Sequence, residues 1–321
     1  MAKFDVCVAG ELNLDLILYG IPETPSHERE LLASGATLTL GSSSAIFAHN
    51  LAMMGAHVGF ITRVGPDSLG EIALERLKQA GVDLKRVVHA RGSTATGVTI
   101  ILPHSSTRHI FTYPGTMFEM TYRDLDVKYL ASARHFHMSS LFLHRGLADR
   151  IPELFRRMKN AGLTTSLDTN DDPDDRWNGA LQETLKYVDI LLPNERESCK
   201  IAATEDPEEA IARLSQRVRI VVVKRGPGGA LAAAAGKLVS AAPVEVDAVD
   251  PVGAGDSFDA GFLYQYLRGA DLETCLAWGN MAGAFSTTQP GGTEAFRNRA
   301  AWKKFILHNQ KRKQTAVGSR P

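Results

Sequence analysis

The chain has 321 residues, enough for one large α/β domain with a small appendage. Its 36 Lys and Arg balance 36 Asp and Glu, so the charge points to neither nucleic acid nor an acidic membrane as a partner. Three scattered cysteines, Cys7, Cys199 and Cys275, argue against a disulfide framework or a C-x-x-C zinc site and suit a reducing cytoplasm; charges at Asp5, Glu11 and Asp15 break up any signal-peptide core, and no window approaches the ~18 apolar residues of a membrane span.

Phe4–Ala9 reads as a buried strand ending at Gly10. In Glu11-Leu12-Asn13-Leu14-Asp15 the alternation places Asn13 and Asp15 on one face. That face is either the solvent side of an edge strand or a place to hydrogen-bond adjacent sugar hydroxyls. Residues 20 to 40, with Pro22, Pro25, Gly35 and Thr37-Leu38-Thr39-Leu40, predict loop and strand. Gly41-Ser42-Ser43-Ser44 opens a helix over Ala45–Met54 that stops at Gly55, and these small residues allow a ligand to approach closely. Val58–Val64 is the next strand; Asp67 and Ser68 are turn and N-cap residues before a helix to Ala80.

Thr94–Leu102 and Arg108–Tyr113 predict a hairpin across residues 103–107. With residues 12 to 40 they would form a small sheet off the main body. His104, Arg108, His109, Phe111 and Tyr113, taken singly, read as surface or packing residues; the family resemblance described below would make them lid contacts. His135 and His137 lack a third ligand nearby and read as core or surface histidines. The Gly162–Asp168 strand puts Asp168 at a strand end, and Asp171, Asp172, Asp174 and Asp175 read as a solvated capping loop. After the Val188–Leu192 strand, Asn194 and Glu197 face the same way at a helix start. They form either a capping box or, through water, a Mg²⁺ site.

The Arg219–Lys224 strand leads to Gly226-Pro227-Gly228-Gly229, a tight hairpin turn that could also pass under a nucleotide. Val244, Val246 and Val249 have strand character. Asp250-Pro251-Val252-Gly253-Ala254-Gly255-Asp256 then precedes a helix from Ser257 to Leu267. Backbone N–H groups of Gly253, Ala254, Gly255 and Asp256, with the positive end of a helix behind them, would make an anion hole with a carboxylate at its mouth. An ordinary glycine turn with a capping Asp fits the bare motif equally well. Asp271–Ser286 is an Ala-rich helix, residues 287–293 a loop, and 308–321 a basic flexible tail with Lys311, Arg312 and Lys313.

The D-x-x-G-A-G-D stretch resembles the C-terminal signature of the ribokinase (PfkB-type) carbohydrate kinases, and further matching motifs run in order from Gly10 to Gly292. The resemblance implies a three-layer α/β/α fold with a mostly parallel central sheet and a small β-sheet lid. The domain would span 1–307, with lid segments near 12–40 and 93–115. It further implies ATP and Mg²⁺ as cofactors, with K⁺ as a further candidate. Asp256 would be the catalytic base, with Gly253, Ala254 and Gly255 beside it. Asn13, Asp15, Gly41, Ser42 and Ser43 would bind substrate. Asn194, Lys224, Gly226, Gly229 and Asn280 would bind ATP, Glu197 would hold Mg²⁺ through water, and Asp250 with the 287–293 loop a monovalent cation. The partners implied are a small sugar and a second copy docked through the lid. Ile46 stands where the family usually has Asn, which leaves open whether Asn50, one turn on, replaces it.

The expected activity is phosphorylation of a sugar hydroxymethyl group. A nucleoside kinase is the alternative if Phe111, Tyr113, Met117 and Phe118 form a slot for a base. A silent sugar sensor has no use for a base at an anion hole, and the absence of G-x-G-x-x-G after the first strand argues against a dinucleotide oxidoreductase.

Overall fold

The structure is a computed structural model that describes residues 2–104 and 107–318, with side chains to residue 310. Ser105 and Ser106 of the expected hairpin turn, and the side chains of Lys311, Arg312 and Lys313, lie outside the described residues. The strands described are, in chain order, β1 (Phe4–Ala9), β2 (Asn13–Tyr19), β3 (Gly35–Leu40), β4 (Val58–Ile61), β5 (Arg63–Val64), β6 (Val88–His89), β7 (Gly97–Pro103), β8 (Arg108–Tyr113), β9 (Ala133–Met138), β10 (Thr164–Leu167), β11 (Ile190–Leu191), β12 (Ile220–Lys224), β13 (Ala230–Ala234) and β14 (Lys237–Ala241).

Eight of them form one sheet in the order β14-β13-β12-β11-β10-β9-β1-β4. Pairing is parallel from β12 across to β4, and the β12–β13 and β13–β14 pairs are antiparallel. The runs of Val and Ala in these strands follow from burial on both faces. In β1, Val6 and Val8 pack into one hydrophobic core while Cys7 and Ala9 pack into the other. The first core holds Phe47, Phe258, Phe262 and Trp302 from helices on one side. The second holds Ile151, Leu154, Phe155 and Met158, from a helix on the other. Those four recur at helical spacing, which fits a helix lying with one face on the sheet.

The chain leaves β1 at Gly10 and enters β2, which belongs to a separate four-stranded sheet of order β3-β2-β7-β8. Paired residues share a face, so Asp15, Thr99 and Thr112 line up on one side, and Leu16, Ile100 and Phe111 on the other. The first face looks onto the cleft described below. The second is apolar and open to solvent, with Phe111 at 56% and Tyr113 at 51% exposure.

Two expectations need correction. Residues 242–251 form no strand: Pro243 offers no N–H, and the chain runs as an extended loop anchored by Val249 N–H and Asp250 N–H on the Thr287 carbonyl. The helix after the glycine turn spans Ala254–Tyr266, so Asp256 lies in its first turn and not before it. The last helix is Arg299–Gly318. Among the described residues, no helix is long and apolar enough to cross a membrane.

Candidate active site

A cleft of 860 Å³ opens where the parallel strands end. Residues just past or at the C-terminal ends of five strands line it: Glu11 after β1, Ser140 after β9, Asn170 after β10, Asn194 after β11 and Lys224 in β12. Open α/β sheets place ligands at this edge because successive loops diverge there. The small sheet covers one side of the cleft with Asn13, Asp15 and Thr99. A second cavity of 560 Å³ shares Lys224, Gly226, Pro251, Ala254 and Gly255 with the first. The two therefore meet at the start of the Ala254–Tyr266 helix.

That helix start has the geometry of an anion site. Gly253 caps it at φ 72°, and a Cβ there would lie 2.5 Å from Gly292 Cα, so glycine is required twice over. The N–H of Ala254 donates to the Pro251 carbonyl at 3.2 Å, which removes it from the expected set of donors. The N–H groups of Gly253, Gly255 and Asp256 have no protein acceptor among the described hydrogen bonds. Free amides in the first helical turn attract anions. Asp256 is buried at 7% exposure, yet it lines the cleft. Burial, with Asp168 nearby, pushes its carboxyl up to about 6, while Lys224 and a Ser43 hydrogen bond pull the other way.

Across the cleft, Asn13 Nδ2 donates to Thr99 Oγ1 at 2.7 Å, and Asn13 Oδ1 is buried without a partner. Asp15 is pushed up to about 7 by burial and by the carboxylates of Asp256 and Asp250. A Cβ on Gly41 would lie 2.1 Å from Asp15 Oδ1, so only glycine lets the backbone pass behind this pair. Ser43 and Ser42 line the cleft, but Ser42 Oγ donates to the Glu11 carbonyl at 2.6 Å, so its hydroxyl braces the turn. Ile46 lines the cleft and packs on Gly253 and Gly292. Asn50 does not take its place: its amide donates to Ser257 Oγ and the Gly292 carbonyl, both at 2.9 Å, in a buried network.

On the other side, Asn194 and Glu197 form a full capping box. Asn194 Oδ1 accepts from Glu197 N–H at 2.8 Å, and Glu197 Oε2 accepts from Asn194 N–H at 2.8 Å. Both side chains line the cleft as well, so capping and ligand contact coexist. Burial and the Asp168 carboxylate push Glu197 up to about 7. Each of its oxygens receives only an Asn194 donor, and such a buried carboxylate accommodates a divalent cation through water.

Lys224 Nζ lies 2.6 Å from Asp168 Oδ2 and 3.4 Å from Asp259. Burial alone would lower it, but Asp168, Asp259 and Glu197 hold it well above the usual lysine range. Its amine also sits near where a Cβ of Gly255 would be, 3.5 Å away. Gly226 and Gly229 edge the second cavity together with Asn280. The Asn280 amide donates to the Ala241 and Ala242 carbonyls at 3.0 and 2.9 Å, bracing the cavity wall. Asp250 accepts from Val252 N–H at 3.0 Å and Gly291 N–H at 2.8 Å, which ties the signature turn to the 287–293 loop.

The sequence reading missed two members of this site. Glu11 is buried, accepts from Ser44 Oγ at 2.6 Å, and lies 3.3 Å from buried His144. Burial by itself would raise it, but His144 and Ser44 bring it down to about 2. The alternation that pairs Asn13 with Asp15 carries Glu11 on the same face, so the signal was present. Asp259 also escaped, although it stands three residues after Asp256, on a neighbouring position of one helix face.

A three-layer sheet with helices on both faces, a small β-sheet at its edge and a cleft between them is the fold of ribokinase. A crystal structure assigned as ribokinase II from E. coli, in complex with ATP and Mg²⁺, aligns with a TM-score of 0.83 over 95% of this chain and 99% of that one, at 26% identity. The profile of the pfkB family carbohydrate kinases matches residues 3–299, and the chain belongs to that family. An uncharacterized sugar kinase of Archaeoglobus fulgidus is 31% identical over 76% of this chain and 96% of its own length. An ATP-dependent ribose-1-phosphate kinase of Halopiger xanaduensis is 31% identical over 90% and 94%. The protein is thus an ATP-dependent carbohydrate kinase.

Proposed function

We propose that the protein transfers the terminal phosphoryl group of ATP to a sugar hydroxymethyl group, with Asp256 as the base. One observation carries this reading: the Asp256 carboxylate and the free amides of Gly255 and Asp256 face the same cleft as Asn13 and Asp15. Asn13 Oδ1 and the Asp15 carboxylate accept from sugar hydroxyls and turn the acceptor oxygen toward Asp256. Asp256 takes the hydroxyl proton as that oxygen bonds to the γ-phosphorus and the bond to the β–γ bridging oxygen breaks. The amides hold the negative charge on the transferring group, and their position is fixed before reaction begins. Glu197, with Asn194, would hold Mg²⁺ through water; Mg²⁺ neutralises triphosphate charge. The adenine end of ATP fits the second cavity, beside Gly229 and Asn280.

ATP turnover with a panel of furanoses, ketohexoses, sugar acids and nucleosides tests the reading. Turnover with nucleosides alone would favour the alternative, which has already lost two aromatics. Phe111 and Tyr113 share the face of Leu16 and Ile100, opposite the cleft; Met117 and Phe118 alone line it. On the best substrate, kcat/KM should rise with pH through about 6, because the base must be ionised and Asp256 sits at that value. Below it the rate should fall about tenfold per pH unit for one such group. A flat profile from pH 5 to 8 contradicts the assignment. The same shift opposes folding at high pH: a raised carboxyl stabilises the fold when protonated, and that contribution is lost as pH rises through about 6.

The apolar outer face of the small sheet supports a homodimer. Leu38, Ile100, Phe111 and Tyr113 lie open together on one side of it. Sedimentation should give the dimer mass for the native chain and the monomer mass for Phe111→Asp. A native monomer at micromolar concentration contradicts this reading.

A further inference from the structure

Two arginines line the cleft with no role in the reading above. Glu11 lies 3.3 Å from His144, Asp171 is 2.6 Å from Arg196, and Lys224 is 2.6 Å from Asp168, while Asp15, Glu197 and Asp256 are the groups assigned above to hydroxyls, Mg²⁺ and the proton. Two cations remain. Arg108, on the cleft face of β8, makes no side-chain hydrogen bond or ion pair among the described residues. Arg145, in the loop after β9, lies 4.5 Å above the Phe118 ring, and its nearest carboxylate, Asp174, is 4.0 Å away. Both line the main cleft and neither borders the second cavity, where the nucleotide base is placed.

Arg108 lies on the same face of the small sheet as Asp15, Thr99 and Thr112, and its charge acts on Asp15. Arg108 therefore belongs to the hydroxyl-binding end of the cleft, and Arg145 lines the same cleft over Phe118. They sit among apolar side chains, Ile46, Ile101, Ile110 and Leu143, that offer a ligand no polar contact. A guanidinium is planar, always charged and shaped for two parallel hydrogen bonds to a carboxylate or a phosphate. Its stacking on Phe118 holds the Arg145 plane in place.

We propose that the substrate is an anionic sugar: a carboxylate or phosphate monoester, distant from the acceptor hydroxymethyl group, is held by Arg108 and Arg145. This rests on the sugar-kinase reading and narrows it. Asp15 and Asn13 take the hydroxyls, and the two arginines set which class of sugar is accepted.

Equilibrium binding and ATP turnover are measured on two matched pairs. One is D-ribose 1-phosphate with D-ribose; the other is 2-dehydro-3-deoxy-D-gluconate with 2-deoxy-D-glucose. At least one anionic member should bind about 100-fold or more tighter than its neutral partner. The pair that responds tells phosphate from carboxylate. Arg108→Met and Arg145→Met should each weaken that anionic ligand by roughly 10- to 100-fold, seen in KM more than kcat, with a much smaller effect on the neutral one. Both side chains are exposed, so the variants should fold, and thermal melting checks that they do. Equal binding within both pairs, or no binding by any of the four, overturns the inference, as do variants that weaken both members alike. Failure of the kinase reading is separate: it would show as binding with no ATP turnover on any sugar.

Discussion

Asp256→Asn should lower kcat by roughly 100- to 10,000-fold, the usual contribution of a positioned base. Asparagine keeps the shape and the backbone amide of residue 256, so the KM for ATP should change little. The variant should also fold at least as well as the native chain above pH 7. Burial pushes the native carboxyl up to about 6, so its ionised form is costly in this place, and a neutral amide is not. Loss of rate together with kept or increased stability is the pattern of a group held against its own preference for the sake of reaction. Single-turnover rates and thermal melts at pH 8 provide the check. Turnover near the native value would remove Asp256 from the reaction.

Lys224→Met should cost about 3–5 kcal/mol of stability, the usual penalty for stripping the partner from buried charge. Lys224 is 2.6 Å from Asp168 and 3.4 Å from Asp259, and both acids are buried. Asp259 is already pushed well above the ordinary range by burial, with Asp168 adding to the effect and Lys224 opposing it. Without the ammonium group, two acids share a dry site. Chemical denaturation measures the loss. Adding Asp168→Asn and Asp259→Asn to the variant should restore much of it, since the penalty comes from unpaired charge and not from lost packing. A loss under 1 kcal/mol in the single variant would show that water reaches the site and replaces the lysine. The resemblance implies that Lys224 binds ATP; its ammonium group lies between two acids beside the first helical turn, where it offsets their charge.

Much of this site could be read from local patterns. The parallel strands announce themselves as short runs of Val and Ala, because both faces are covered. Asn13 and Asp15 follow from two-residue alternation, and Asn194 with Glu197 from a three-residue spacing at a helix start. Glycines at 41 and 253 mark close approach and positive φ, and both prove sterically necessary. What stayed hidden depends on partners far apart in the chain. Glu11 meets His144, and Asp168 meets Lys224, across more than fifty residues in each case; no periodicity encodes such pairs. The donor direction of Ala254 was also out of reach, since it turns on one hydrogen bond to Pro251. Residues 242–251 misled because valine alternation signals an extended chain but cannot supply a neighbouring strand to pair with.

A complex with a non-hydrolysable ATP analogue and the best sugar tests the central geometry most directly. The account predicts the terminal phosphate within hydrogen-bond distance of the Gly255 and Asp256 amides, and the acceptor hydroxyl on the Asp256 carboxylate. A terminal phosphate bound elsewhere in the cleft, or an acceptor hydroxyl out of reach of Asp256, would contradict it.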